Sequence, residues 1–399
     1  MQKMTANVPL LGGVYDITID GEKIHSMEKS EQQSDRCAGP ALFDIQVNGY
    51  GGRSCRIKSE EDIGALAYIT TIFRQNGVGS WIPTICTAHQ DVLETAFTFC
   101  ARELDQDSDT AASVPGFHLE GPYISAEEGP RGAHDLECVR DPDWDEFQRA
   151  QECAGGRIKY ITLAPERNGA PEFIRKCVDS GVVVSIGHSN LDRDSLARAE
   201  DAGATLSTHL GNGAHHLIQR HNNYLWYQLA SRKMFASFIS DGEHLPPECL
   251  FCMLRAKGLD LSVITSDCVA LGGMKPGVYK VRGGERELTP TGRINLVGSN
   301  NLAGSASNLR ECTERVVRLG GVTHKEGWEL ASVQPARLLN VEGLKGFGPG
   351  ADATITIYNY NKKDHSIDVR ETWVKGRKVF DCETTDRVKM PETPMDIDD

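Results

Sequence analysis

A (β/α)8 barrel, with one small β domain built from both ends of the chain, is the fold this 399-residue sequence predicts. Three observations predict it. Eight short apolar segments alternate with helix-like stretches through the middle of the chain. β-rich hairpin patterns stand near both termini. No GxGxxG follows any of the eight strands, which removes the competing Rossmann arrangement.

Taken in order, Val14 to Met27 alternates polar and apolar residues and turns at Asp20-Gly21. The eight barrel strands are read at Ala41–Val47, Ser80–Cys86, Pro115–Leu119, Lys159–Ala164, Val182–Ile186, Thr205–Thr208, Phe235–Ile239 and Leu261–Thr265. Between them, Glu60–Gln75 places Ile63, Leu66, Thr70 and Phe73 on one helical face, with Ser59 as N-cap. Asp192–Ala202 and Pro247–Lys257 read as helices on the same grounds. The glycines from Gly343 to Gly350 lack a Walker lysine and read as connecting turns. Ala353 to Phe380 returns to β-rich runs around a turn at Lys375-Gly376. The domains are therefore 1–39 with 345–385 for the discontinuous β domain, 40–344 for the barrel, and 386–399 for a loose polar tail.

Charge narrows the partners. The chain has 43 Lys and Arg against 56 Asp and Glu, a net charge of −13. Such an acidic surface lacks the field that phosphate backbones require, so nucleic acid is excluded as a partner. No apolar run is long enough for a membrane span, and Met1 to Gly13 is too short in apolar length for a secretory signal, so the expected location is cytoplasmic. Of the 12 cysteines, Cys249 and Cys252 form a lone CxxC on the 247–257 helix and read as buried free thiols.

The chemistry stands at the strand ends. Glu120 ends the third strand, His188 the fifth, His209 the sixth and Asp267 the eighth. In a barrel these ends open into one mouth, so residues distant in sequence converge there. Two imidazoles and a carboxylate make a hydrolytic metal set with a position left for water, and a second carboxylate handles the proton. Singly, each has an ordinary reading as a loop imidazole, a turn acid or an N-cap. Spacing does not select zinc over iron or manganese. His244, in Asp241-Gly242-Glu243-His244 after the seventh strand, also enters the mouth and reads as a substrate contact.

Over roughly residues 13 to 380 the sequence resembles the N-acetylglucosamine-6-phosphate deacetylases of the amidohydrolase superfamily. The likeness rests on FDIQVNGYGG at 43–52, FHLEGPY at 117–123, RGAHD at 131–135, GHSN at 187–190, THLGN at 208–212, SDGEH at 240–244, ITSD at 264–267 and NLAGSA at 301–306. It implies a TIM-type (β/α)8 barrel with a small β-sandwich domain formed by both termini, and one divalent metal, zinc-like, held by Glu120, His188 and His209, with Asp267 as catalytic acid and base. It also implies that His134, Asn212, Gly213 and His244 line the sugar site and that Leu302 and Ala303 pack against the N-acyl group. The substrate implied is a small N-acetylated amino sugar phosphate, cleaved to acetate and the free amine. Gln46 and Asn48 stand where many superfamily members carry the HxH of a second metal, which argues for a single ion. Arg220 lies near the position of the family's phosphate-binding Arg, donated across a homodimer. Its neighbours, His221, Asn222 and Asn223, depart from the family pattern, and this keeps an unphosphorylated N-acyl substrate in play. A non-catalytic sugar-binding barrel is the reading from a different class.

Overall fold

The computed structural model describes residues 1–281, 284–298 and 302–394. All eight expected barrel strands form: Leu42–Val47, Val78–Cys86, Phe117–Glu120, Ile158–Leu163, Val183–Ile186, Leu206–Ser207, Phe235–Ile239 and Ser262–Thr265. They lie side by side in chain order in one parallel sheet. The first and last meet where Asp267 N donates to Gln46 O at 3.0 Å and Asn48 N to Cys268 O at 2.8 Å. That closes the barrel. Buried Asp44 fastens the same seam, accepting from Thr265 Oγ1 at 2.9 Å and from Ser266 N at 3.1 Å.

Inside the barrel, Phe43, Ile45, Ile82, Tyr160, Leu206 and Val263 pack with Leu338 and Leu339. Each such side chain contributes about 1.5–3 kcal/mol by leaving water. A polar layer joins this packing. His118 stacks on Tyr160 at 3.8 Å and bonds Thr162 Oγ1 at 2.8 Å, and Thr162 bonds Thr208 Oγ1 at 2.8 Å. Strand residues two apart share a face, so Glu120 points inward like His118 and one step nearer the mouth.

Several elements differ from expectation. The first long helix is split into a 3-10 turn, Glu60–Asp62, and an α-helix, Ala65–Gln75, because Gly64 at φ 98° breaks the run. Ser59 caps only the short turn, with Asp62 as its partner; Leu66, Thr70 and Phe73 are buried as read. The 247–257 helix has the expected bounds, but Cys249 and Cys252 are exposed on it. Leu250 and Leu254 take its inward face, which turns both thiols outward. An antiparallel sheet of Gly277–Val281, Gly284–Leu288, Arg293–Leu296 and Leu302–Ser305 follows the eighth barrel strand, unforeseen in the sequence.

The small domain takes strands Gln2–Val8, Gly13–Asp20, Lys23–Lys29 and Arg36–Pro40 from one end of the chain. Ile355–Tyr360, Ile367–Val374 and Arg377–Asp381 come from the other. The hydrogen-bonded series folds over on itself: Ile24 N donates to Ala351 O at 3.0 Å and Ala353 N to Glu22 O at 2.8 Å. The sandwich so formed encloses Val8, Ile17, Ile19, Ile355, Ile357 and Trp373. The described part of the expected loose tail is anchored to the barrel, with Val388 N on Gln75 Oε1 at 3.0 Å and Arg387 Nη1 on Gln75 O at 3.2 Å. Residues 395–399 of that tail, and Asn301 of the NLAGSA motif, lie outside the described residues.

Candidate active site and metal centre

Glu120, His188 and His209 converge at the mouth. Glu120 Oε1 lies 3.2 Å from His188 Nε2 and 3.1 Å from His209 Nε2, and the two nitrogens are 3.1 Å apart. Bonds of about 2.0–2.1 Å in tetrahedral geometry put neighbouring donors about 3.3 Å apart, so the triangle has the size a divalent cation needs. The tautomer fits as well. His188 Nδ1 donates to Pro130 O at 2.8 Å, which leaves the lone pair on Nε2 aimed at the triangle. His134 Nε2 also approaches His188 Nε2, at 3.2 Å, and Glu120, His134 and His188 offer donor atoms within 4.8 Å of one another. The set with His209 is the tighter of the two.

Asp267 stands beside this set. Asn48 Nδ2 donates to its Oδ1 at 2.8 Å, Asn48 Oδ1 accepts from Cys86 Sγ at 2.9 Å, and Cys86 Sγ is 3.5 Å from Glu120 Oε2. Gln46 Nε2 donates to the inner oxygen of Glu120 at 2.9 Å. The two amides thus hold the two carboxylates. Their placement depends on a register slip between Asp44 and Val47, where the first strand pairs with the second. Phe43 and Ile45 join the apolar interior, while Gln46 and Asn48 reach the mouth. A bulge of this kind re-aims side chains next to functional sites.

Gly213, Asn212, His244, Leu302 and Ala303 each have a definite place relative to the cluster or its strand ends, and Arg220 stands apart. Gly213, at φ 56°, lies against His188: a Cβ there would stand 2.9 Å from Nδ1, so only glycine leaves the imidazole its place. Asn212 folds back on the sixth strand end, its N on His209 O at 3.0 Å. His244 is oriented by Asp241, Nδ1 to Oδ2 at 2.7 Å. Leu302 and Ala303 lie on a strand tied to the acid's own backbone, since Ser305 N donates to Asp267 O at 3.1 Å. Arg220 is not brought to the cluster: it is exposed on the loop before the Tyr224–Ala230 helix, where its carbonyl accepts from Trp226 Nε1 at 3.0 Å.

No protein-family model matches the chain. It is 32% identical over 382 residues to the N-acetylglucosamine-6-phosphate deacetylase of Bos taurus, covering 92% of this chain and 90% of that one. It is 30% identical to the N-acetylgalactosamine-6-phosphate deacetylase of Escherichia coli O157:H7, covering 85% and 86%. The crystal structure of N-acetyl-D-glucosamine-6-phosphate deacetylase from Mycobacterium smegmatis superposes with a TM-score of 0.83 at 25% identity, over 95% of this chain and 100% of that one. The chain belongs to the N-acetylglucosamine-6-phosphate deacetylase family. It is a metal-dependent hydrolase of the amidohydrolase superfamily.

The electrostatics of this deacetylase site follow from burial among few charges. Burial pushes Glu120 up, but hydrogen bonds from His188 and His209, and their charge, outweigh it and hold the carboxylate well below its usual range. Burial, then the Glu120 charge, push Asp267 up to about 7, within the range of a group that gives and takes a proton near neutrality. Burial and the His188 charge lower His134 to about 3, so its ring is neutral. Asp241, raised by burial, is pulled back below the usual carboxylate range by His244. The sequence reading did not foresee the carboxylate-holding roles of Gln46 and Asn48, or Asp241 as the partner of His244. Only the last carried a local signal, an Asp three residues before a His.

Proposed function

We propose that the chain hydrolyses the acetamide of an N-acetylhexosamine 6-phosphate, N-acetylglucosamine-6-phosphate foremost, to acetate and the amino sugar phosphate. The observation that carries this reading is the convergence of Glu120, His188 and His209 with Asp267 fastened beside them. The names of the relatives supply the substrate class. Glu120, His188 and His209 would hold the metal, and we take it to be zinc, which suits an imidazole and carboxylate set. When bound, such an ion polarises a carbonyl and lowers the pKa of a water toward neutrality.

The chain's own groups do the rest. Asp267 accepts the proton of the attacking water on the oxygen that Asn48 leaves free, and then delivers it to the departing nitrogen. Without that delivery the leaving group would be an amide anion. His134, neutral and facing His188, is placed to donate to the carbonyl oxygen, and His244, braced by Asp241, to hold a sugar hydroxyl. Asn212, Gly213, Leu302 and Ala303 shape the walls.

Exposed Leu217, Ile218 and Trp226, on and beside the loop that carries Arg220, support a homodimer through this face. Light scattering that returns a monomer at working concentration would remove that part. Twelve free thiols suit a reducing compartment, and on that ground we place the enzyme in the cytoplasm. Among the described residues no helix is long and apolar enough to cross a membrane. A second reading, an unphosphorylated N-acetylamino sugar as substrate, is favoured by the exposed position of Arg220.

The test is acetate release from N-acetylglucosamine, N-acetylgalactosamine and their 6-phosphates, with elemental analysis of the protein. Asp267→Asn is expected to keep its metal and lose turnover by about three orders of magnitude or more, as when a positioned acid/base fails. Near-wild-type turnover in that variant would remove Asp267 from the chemistry.

A further inference from the structure

Cys86 has no role in the reaction as derived above, yet it touches two groups that do. Its place is set by the backbone. Cys86 is the register partner of Glu120 where the second and third barrel strands pair. Residues two apart on a strand share a face, so Cys86 points inward like Thr84, which bonds His118 Nδ1 at 3.2 Å, and one step nearer the mouth. There the thiol meets two acceptors, Asn48 Oδ1 at 2.9 Å and Glu120 Oε2 at 3.5 Å. A thiol carries one proton, and the nearer oxygen takes it. Burial raises the Cys86 thiol well above its ordinary range, which keeps that proton on sulfur.

The Asn48 amide therefore carries two bonds of opposite sense. Its Nδ2 donates to Asp267 Oδ1 at 2.8 Å while its Oδ1 accepts from Cys86. The Asn48 backbone is fixed on both sides, with N on Cys268 O at 2.8 Å and O accepting from Cys55 N at 2.7 Å. What stays free is rotation of the side-chain amide, whose last torsion is broad. An ionised Asp267 orients that amide unaided, because a carboxylate only accepts. A protonated Asp267 does not. If the amide turned over, Asn48 Oδ1 would accept the new O–H, and a proton held there is withdrawn from the departing nitrogen. Turning over also breaks the bond from Cys86, so the thiol opposes it.

We propose that Cys86 is a positioning residue for the acid/base step. Its S–H occupies Asn48 Oδ1, so the amide keeps its N–H on Asp267 Oδ1 in both protonation states. The proton taken from the attacking water then stays on the other Asp267 oxygen until the departing nitrogen receives it. The proposal rests on the reading of Asp267 as acid and base in amide hydrolysis. Glu120 is not the route of the effect, because its Oε1 faces both imidazoles while the longer thiol contact is to Oε2.

The experiment measures acetate release from N-acetylglucosamine-6-phosphate and N-acetylglucosamine, with metal content by elemental analysis. The proteins are the wild type, Cys86→Val, Cys86→Ser, Asn48→Ala and the variant carrying both Asn48→Ala and Cys86→Val. Cys86→Val, near in volume and without a donor, is expected to lower kcat about two- to tenfold, the effect of one neutral hydrogen bond, with KM and metal content unchanged. Cys86→Ser restores a donor and is expected to recover most of that loss. In the Asn48→Ala background Cys86→Val is expected to change nothing further, since residues in one chain of bonds are coupled. Cys86→Ala reads the same quantities if the valine variant does not fold. An unchanged kcat in Cys86→Val, a serine variant as slow as the valine, or an equal fractional loss with and without Asn48 overturns the assignment while leaving the deacetylase reading in place. So does a valine variant that loses its metal, which moves the effect to Glu120. A wild type that releases acetate from neither amide overturns the deacetylase reading and this proposal with it, before any variant is measured.

Discussion

His188, His209 and Asp267 share a backbone feature that no composition would show: each has a positive φ, at 50°, 29° and 49°. A left-handed residue that is not glycine costs on the order of 1–2 kcal/mol, and such positions gather at functional sites. Here the strain sits at three strand ends and tips each side chain into the mouth. Glycine supports the arrangement from behind, since Gly213 leaves the His188 ring its space and Pro130 O fixes the tautomer. Gly213→Ala puts a methyl against Nδ1 and strains a backbone at φ 56°. Metal affinity is expected to fall about ten- to hundredfold, the range seen when a ligand's supporting contact is lost. Retention of full metal content after dialysis against a zinc buffer would show that Gly213 does not brace His188.

At the scale of elements, two hairpins lock the sandwich. The Val374–Arg377 turn uses Lys375 at φ 46° and Gly376 at φ 72°, a left-handed pair suited to a two-residue turn. Gly376 N donates to Ala353 O at 2.9 Å, and a Cβ on Gly376 would strike the carbonyl of Gly21, in the turn of the opposite hairpin. The contact joins chain segments more than 350 positions apart, so the turn sets tertiary packing as well as strand register. Gly376→Ala is expected to cost about 1–3 kcal/mol from strain and collision together. Denaturant unfolding should register it as a lower midpoint with an unchanged slope; an unchanged midpoint would mean that the two hairpins yield freely.

At the scale of the whole molecule, barrel and sandwich are joined by an aromatic stack. Trp328 lies on Tyr358 at 4.2 Å and His324 on Tyr360 at 3.7 Å, while Trp328 Nε1 donates to Pro40 O at 2.9 Å. Burial, then the nearby His365 charge, lower His324 from 6.5 to about 4. The unfolded chain therefore binds this proton more readily than the folded one. The His324 contribution is fully present above about pH 6.5 and is lost as pH falls toward 4. Wild-type stability is expected to drop between pH 7 and 5, and His324→Phe, which keeps a ring in the stack, should drop less. Equal losses in the two proteins would assign the acid sensitivity elsewhere.

Periodicity and punctuation carry a fold when each element is set by its neighbours in sequence, and this chain is largely of that kind. All eight barrel strands, the two hairpin turns and the 247–257 helix were legible because alternation, helical spacing and Gly or Pro boundaries are local properties. Glu120, His188, His209 and Asp267 were legible for a similar reason: each ends a strand, and a closed barrel sends every strand end to one mouth. What tertiary structure alone decided was relational. The register slip that sends Gln46 to Glu120 and Asn48 to Asp267, the outward turn of Cys249 and Cys252, and the sheet inserted after the eighth strand all depend on which distant segment packs against which. Sequence determines what each segment can form on its own, and packing determines what its side chains meet.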